Sequence, residues 1–265
     1  SGKRVVMTKR AVPLLVPVTA GRFCLGSEIS DAQAEANEKP RHLIDLPAFQ
    51  ISKYPITNQE YAGFITAMHY EPPDHWRGTT PPPDLLEHPV VNVQLKDCQR
   101  FCEWLSQETG VLYELPSEEQ WEKAARGPEP EKRPYVWGDA WKPNVCNTIE
   151  TEIKGTTAVY QFENTNISLF GAVDMLGNVW EWTRSWYLPY AASPHDSLRY
   201  GSYRVIRGGS WDNDRHLARI SCRGRYKPDV KRPYLGFRIV TNVIEKPVAE
   251  ETRPPGPKTE AYDRV

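Results

Sequence analysis

The feature that most constrains the fold of this chain is residues 204–240, where two short apolar stretches enclose a long polar one. Val205-Ile206 at the start and Phe237-Arg238-Ile239-Val240 at the end are typical of strands. Gly208-Gly209 predicts a tight turn directly after the first strand. The residues between are rich in Arg, Asp, His and Tyr. Because long ordered loops are usually functional, we predict a display surface held between two strands.

Composition excludes several classes of protein. At 265 residues the chain is long enough to bury a substantial core without disulfides. A net charge of −1, with 25% charged residues, argues against nucleic-acid binding by the molecule as a whole. No run of about 18 apolar residues is present, so the sequence predicts no membrane-spanning helix.

The cysteines and the first residues of the sequence predict in which cellular compartment the protein is found. Five cysteines is an odd number, and the one close pair, Cys98 and Cys102, has the spacing of a helical turn. The start Ser1-Gly2-Lys3-Arg4 lacks the apolar core of a secretion signal. We therefore expect buried free thiols in a cytoplasmic protein.

Periodicity places the regular elements. Alternation over 11–27 predicts a two-stranded hairpin, and 42–52 alternates again. Capping boxes predict helices that begin after Thr57 and Ser117. We also expect a helix from roughly Lys96 to Gln107 and, just before it, a short strand at 90–93.

Two motifs are more specific than these patterns: GNVWEW at 177–182, and RGGSW at 207–211 followed by GFR at 236–238. Together with their neighbours they resemble the formylglycine-generating-enzyme (sulfatase-modifying factor) family, a variant of the C-type lectin fold. The likeness covers about residues 12–240. It implies one loop-rich α+β domain with few short strands and two to three helices. Residues 241–265 are Pro-rich and polar, so we expect an extended or flexible tail.

The segment around GNVWEW carries oxygen donors suited to calcium. Asp174 and Glu181 are hard carboxylates, and turn carbonyls between them could complete an oxygen cage. The alternative is that these residues cap turns and pair with an arginine. The resemblance implies one calcium site at Asp174, Gly177, Val179 and Glu181, and a second that begins at Asn147 and Thr148.

The resemblance also raises the question of catalysis. Family oxidases convert a cysteine of a sulfatase peptide to formylglycine with copper held by two cysteines just after the GGS-aromatic motif, because soft Cu(I) needs thiolates. Residues 211–219 contain no cysteine, and Cys222 lies farther on. A second branch, the ergothioneine-type sulfoxide synthases, takes iron ligands from a helical domain without a counterpart here. We predict no enzymatic activity and no copper, with an oxidase of altered metal site as the alternative.

A third use of the family's fold is ligand display, as in variable proteins of diversity-generating retroelements or in the sensor domain of a larger bacterial effector protein. Residues 204–232 contain nine lysines and arginines and three aspartates, which gives this segment a net charge of +6. Arg and Tyr together suit planar or anionic groups, although Arg207 and Arg238 are expected to be internal. We predict a protein or other macromolecular ligand on the surface of residues 211–234. The candidate contacts are Trp211, Asp212, Asn213, Asp214, His216, Arg219, Ser221, Arg223, Arg225, Tyr226, Lys227 and Tyr234.

Overall fold

The structure, a computed structural model, describes residues 12–191, 193 and 201–243. These residues form three α-helices and three small sheets. The helices are α1 (Asn58–Met68), α2 (Leu95–Thr109) and α3 (Glu118–Arg126). The strands are β1 (Leu15–Val18), β2 (Gly21–Leu25), β3 (His42–Leu46), β4 (Phe49–Ser52), β5 (Trp180–Trp186), β6 (Arg204–Arg207), β7 (Gly224–Tyr226), β8 (Leu235–Phe237) and β9 (Val240–Thr241).

The helices begin where their capping residues predict. Thr57 accepts a hydrogen bond from the N–H of Glu60, whose carboxylate accepts one in return, and Ser117 and Gln120 do the same before α3. Helix α2 ends at Gly110, which adopts the left-handed conformation that favours glycine. In the described part of the chain no helix has both the length and the apolar character needed to cross a membrane.

The amino-terminal strands do not form the predicted hairpin. Strand β1 pairs antiparallel with β4, and β2 pairs antiparallel with β3. Pro47, which has no N–H, lies between β3 and β4, so the 42–52 stretch divides and each half takes a different partner. The predicted strand at 90–93 is also wrong, because Asn92 has a φ of 58° and interrupts the extended backbone.

A four-stranded sheet in the order β7-β6-β5-β8 holds the segment that constrains the fold. Strand β8 is parallel to β5, and the other two pairings are antiparallel. The expected strands at both ends of that segment are confirmed, but β7 lies inside the stretch predicted to be irregular. Strand β9 pairs with β4, so Thr241 belongs to the folded domain; residues 244–265 of the expected tail lie outside the described residues.

The larger core lies between α1, α2 and the four-stranded sheet. Tyr61 of α1 stacks on Phe101 of α2 with ring centroids 5.7 Å apart, and Phe101 meets Phe237 of β8 at 5.5 Å. Cys98 and Cys102 are buried in the same cluster, as expected. Burial of this aromatic cluster fixes the sheet against the helices.

Candidate functional site

Helix α3 carries two glutamates into the interior, where they hold arginines of the 204–240 segment. The carboxylate of Glu122 accepts hydrogen bonds from Arg126, at 2.7 Å, and from Arg207. Burial raises the pKa of Glu122, but the two guanidinium charges more than offset this, so its pKa lies below the ordinary value. Glu118 forms a second pair, since both its oxygens accept from Arg223 at 2.6 and 2.8 Å.

Arg238, the last residue of the GFR motif, is buried as well. Nε and Nη2 of Arg238 donate to the two oxygens of Glu181 at 2.7 and 2.8 Å, and Nη2 also donates to the carbonyl of Val173 at 3.0 Å. Trp121 donates to the same carboxylate at 2.7 Å. The expectation that Arg207 and Arg238 pair with core carboxylates or carbonyls is confirmed.

Three of the residues predicted to contact a ligand are buried instead. Arg219 donates to both oxygens of Glu38 at 2.7 Å, and Ser221 donates to the same carboxylate at 2.8 Å. Arg223 is enclosed by Glu118 and by the rings of Tyr187 and Tyr190. A buried charge must be paired, and these pairs leave Arg219, Ser221 and Arg223 nothing to offer a ligand, so their assignment to the surface is wrong.

The turn 211–216 is one exposed part of the segment, and hydrogen bonds hold it in place. Oδ1 of Asn213 accepts from Nε1 of Trp180 at 2.7 Å and from Oγ of Ser210 at 2.8 Å, so Asn213 clamps the turn. Oδ1 of Asp214 accepts from the N–H of His216 at 2.9 Å. The carbonyl of Asn213 accepts from the N–H of Ile149 at 2.9 Å, which joins the turn to the 149–154 loop.

A cleft of about 400 Å³ opens beside the start of this turn. Trp211 and Asp212 form one wall, and Ile149, Glu152 and Lys154 form the other. Glu152 and Lys154 have φ values of 57° and 60°, which are uncommon for residues with a side chain and often occur at functional sites. We call this cavity the Trp211 cleft. The sequence reasoning did not place the 149–154 loop on the ligand surface, because its pattern carries no recognisable motif.

Strand β7 divides the other candidates between two faces. Tyr226 packs near Trp182 at 6.5 Å, and its hydroxyl lies 3.1 Å from that of Tyr234. Burial, followed by that hydrogen bond, raises the pKa of Tyr226 to about 12. Arg225 lies instead over the rings of Tyr187 and Tyr203, because successive residues of a strand point to opposite faces.

Tyr234, unlike Arg225, lies beside Trp211. The two rings are 6.3 Å apart, and Nε1 of Trp211 donates to the carbonyl of Pro233 at 3.4 Å. Lys227 follows Tyr226 and is exposed. The structure therefore brings Trp211, Asp212, Tyr226 and Tyr234 to one region and turns Arg225 away from it.

The first expected calcium site contains one free carboxylate oxygen. Oδ2 of Asp174 accepts from Asn178 at 2.6 Å, whereas Oδ1 is buried with no hydrogen-bond partner. Burial raises the pKa of Asp174 to about 8. The hydrogen bond from Asn178 and the charge of Arg238 act against this rise, whereas the charge of Glu181 adds to it. Both oxygens of Glu181 already accept hydrogen bonds, from Arg238 and Trp121, which is the arginine pairing expected as the alternative to a calcium ligand.

At the second expected site, the candidate ligand atoms already form hydrogen bonds within the protein. Oδ1 of Asn147 accepts from Thr151 at 3.1 Å, and Nδ2 donates to the carbonyl of Gly155 at 2.9 Å. The carbonyl of Thr148 accepts from the N–H of Thr151 at 3.0 Å. Asn178 joins the two regions, because its Oδ1 accepts from Asn147 at 3.3 Å while its Nδ2 donates to Asp174.

Side chains alone would not complete either ligand set. Across the described residues no three side chains of His, Cys, Asp or Glu are grouped so that they could hold a metal ion. Calcium at Asp174 and Glu181 would need backbone carbonyls, and those of Gly177 and Val179 lie in the same turn.

The five cysteines are free and buried. Burial raises the pKa of Cys222 to about 12, and it also raises the pKa values of Cys98, Cys102 and Cys146. A buried thiol with a raised pKa is a weak nucleophile and resists deprotonation, so these cysteines pack as small apolar residues.

Comparison with solved structures defines the class of fold. Treponema denticola variable protein 1 superposes with a TM-score of 0.71 and 20% identity, over 86% of this chain and 94% of that one. The chain thus has the loop-rich α+β fold, of the C-type-lectin-like kind, that the motifs predict. It belongs to the family of sulfatase-modifying factor enzyme 1-like domains, whose family model matches residues 3–243.

The family contains both enzymes and inactive members. The inactive C-alpha-formylglycine-generating enzyme 2 of Mus musculus is 27% identical, and the match covers 87% of this chain and 86% of the relative. A hercynine oxygenase of Mycolicibacterium thermoresistibile is 30% identical over 97% of this chain but 66% of the relative. That oxygenase is therefore longer than the part that matches.

Proposed function

We propose that this chain is a non-catalytic binding domain that holds a protein or other macromolecular ligand at the Trp211 cleft, as a variable protein of a diversity-generating retroelement would. The observation that carries the proposal is the 211–216 turn, which presents exposed side chains and is held in one conformation by internal hydrogen bonds. A preorganised surface loses little conformational entropy on binding. Trp211 and Tyr234 supply the aromatic anchors that dominate many interfaces.

The position of the thiols supports binding over oxidation. Residues 211–219, where the oxidases carry their copper-binding cysteines, contain Asn213 and Asp214 but no cysteine. Cys222 is 2% exposed and lies in the apolar core cluster. One buried thiol does not replace a pair of thiolate ligands for Cu(I).

Substitution of Trp211 or Asp212 tests the proposed surface. Peptides selected from a random library on the purified protein should bind Trp211→Ala and Asp212→Ala at least about tenfold more weakly than the original protein, because central aromatic anchors contribute most of the binding energy. Fluorescence anisotropy of labelled peptides measures the affinities. Trp186→Ala, which removes an exposed tryptophan of β5, serves as the matched control and should bind normally. Unchanged affinity in both cleft variants would place the binding surface elsewhere.

An oxidase with an altered metal site is the second candidate, and the 30% identity to a hercynine oxygenase favours it. Oxygen consumption with Cu(I) or Fe(II) and a cysteine-containing peptide distinguishes the two functions. The binding domain should consume no oxygen above the metal and peptide alone. Turnover that Cys222→Ser abolishes would establish the oxidase instead.

We also propose that calcium binds at Asp174, next to Glu181, and stabilises the GNVWEW turn behind the cleft. The unpartnered Oδ1 of Asp174 supports this site. Calcium at about 100 times its Kd should stabilise the protein by about 2.7 kcal/mol, which raises Tm by several degrees. Thermal unfolding in calcium, in magnesium and in chelator measures the shift. Asp174→Asn should remove most of it; an equal shift in that variant would show that calcium binds elsewhere.

A further inference from the structure

A second cleft, of about 370 Å³, lies at the other end of the 211–216 turn. Arg215 and His216 line it, whereas Trp211 and Asp212 line the first cleft. Its remaining walls come from the loop after α3 and from the 28–35 loop, with Gln33, Tyr135, Asp139 and Trp141 as the main contributors. We call it the Tyr135 cleft. The function proposed above makes no use of it.

The loop after α3 gives this cleft a rigid aromatic wall. The rings of Tyr135 and Trp137 stack with centroids 5.2 Å apart and planes 5° apart, and Trp141 meets both edge-on at 5.7 Å. Tyr135 and Gly138 exchange backbone hydrogen bonds of 3.2 and 3.1 Å, and Nε1 of Trp137 donates to the carbonyl of Ala140. The wall is therefore formed before any ligand arrives, and its exposed parts suit the flat face of a ring.

The Tyr135 cleft also contains polar side-chain groups that have no hydrogen-bond partner among the residues that the structure describes. The backbone N–H groups of Arg215 and His216 are held by Glu150 and Asp214, each at 2.9 Å. Their side chains, however, make no hydrogen bond or ion pair with the residues that the structure describes. Tyr135 is 5% exposed as a residue, and its hydroxyl has no hydrogen bond within the same set of residues.

Arg215 differs in this respect from its neighbours along the chain. Arg219 and Arg223 are saturated by Glu38 and Glu118. The guanidinium of Arg215 makes no hydrogen bond with the described residues and lies beside an aromatic wall, although its charge interacts with the carboxylate of Glu150. A guanidinium matches a carboxylate in two parallel hydrogen bonds. Asp139, the one acidic group in the lining, can accept from hydroxyl groups.

We propose that the Tyr135 cleft binds a small ring compound that carries a carboxylate. The carboxylate pairs with Arg215, and the flat face of the ring lies against Trp141 and the edge of Tyr135. Gln33 and Asp139 hydrogen-bond to hydroxyl groups on the ring. Two sources share this chemistry, an aromatic acid and the uronic acid of a sugar.

Benzoate and glucuronate represent these two sources, and benzamide is the matched neutral control. For ligands of this size we expect Kd values of about 1–10 mM, measured by isothermal calorimetry and by tryptophan fluorescence. At least one of the acids should bind, with benzamide at least about tenfold weaker. Arg215→Gln should weaken the acid by at least about tenfold, because it removes a charge-assisted pair. Arg232→Gln, which removes an exposed arginine over Tyr226, should leave the affinity unchanged.

Each outcome decides the proposal. Binding of benzoate alone assigns an aromatic acid, and binding of glucuronate alone assigns a sugar acid. Failure of both acids to bind at about 10 mM overturns the proposal, as does equal binding of benzamide. Equal affinities in Arg215→Gln and Arg232→Gln would also overturn it. Trp211→Ala should bind the acid normally, so this result stands or falls separately from the function proposed for the Trp211 cleft.

Discussion

Replacement of Glu122 by alanine is expected to destabilise the protein by about 3–5 kcal/mol, because two buried guanidinium groups lose their shared carboxylate. Arg126 and Arg207 are 1% and 0% exposed and cannot reach water without opening the core. Domains of this kind are stable by about 5–15 kcal/mol, so the variant should approach the threshold of unfolding. Urea unfolding followed by tryptophan fluorescence measures the loss.

Glu103→Ala is the matched control for that result. Glu103 is also a helical glutamate paired with an arginine of its own helix, but both side chains of that pair are 54% exposed. An exposed pair contributes at most about 1 kcal/mol, so the control should lose little stability. Similar losses in the two variants would contradict a special role for the buried pairs around α3.

Replacement of Gly209 by alanine should both destabilise the protein by about 3 kcal/mol and weaken ligand binding at the Trp211 cleft. Gly209 has a φ of +74°, and an added Cβ would lie 2.9 Å from the carbonyl oxygen of Leu217. It would also lie 3.1 Å from Cα of Ala218. Because these neighbours are backbone atoms, relief of the contact must displace residues 217–218 and with them the 211–216 turn.

Gly78→Ala separates conformational strain from this steric contact. Gly78 has a similar φ of +68°, but no atom lies within 4 Å of the position of an added Cβ. The control should therefore lose only about 1 kcal/mol and should bind ligand normally. Unfolding in urea and peptide anisotropy measure the two effects on both variants. If Gly209→Ala behaves like Gly78→Ala, the turn does not depend on the close approach of residues 217–218.

The parts of the fold that the sequence predicted are those with local causes. The capping boxes at Thr57 and Ser117 place two helices because the cap and its partner are three residues apart. The strands at the ends of 204–240 follow from short apolar runs. The prediction of a hairpin at 11–27 was wrong because both of its strands pair with strands in 42–52. The pattern of one segment alone does not determine which distant strand it pairs with.

The candidate site divides in the same way. Trp211 and Asp212 follow a recognisable glycine turn, and the sequence marked both as contacts. Their partners in the cleft, Ile149 and Lys154, stand more than fifty positions earlier and carry no motif. A cleft between distant loops appears only when the chain is folded.

The sequence by itself determined the family, the positions of the capped helices and the absence of cysteine from 211–219. Each of these is a property of residue types at fixed spacing. The tertiary structure alone decided which arginines of the basic segment face outward. Glu38 and Glu118, which remove Arg219 and Arg223 from the surface, lie 181 and 105 positions away from them. Burial of a charge depends on a partner brought close by folding, so charge along the chain did not predict the surface.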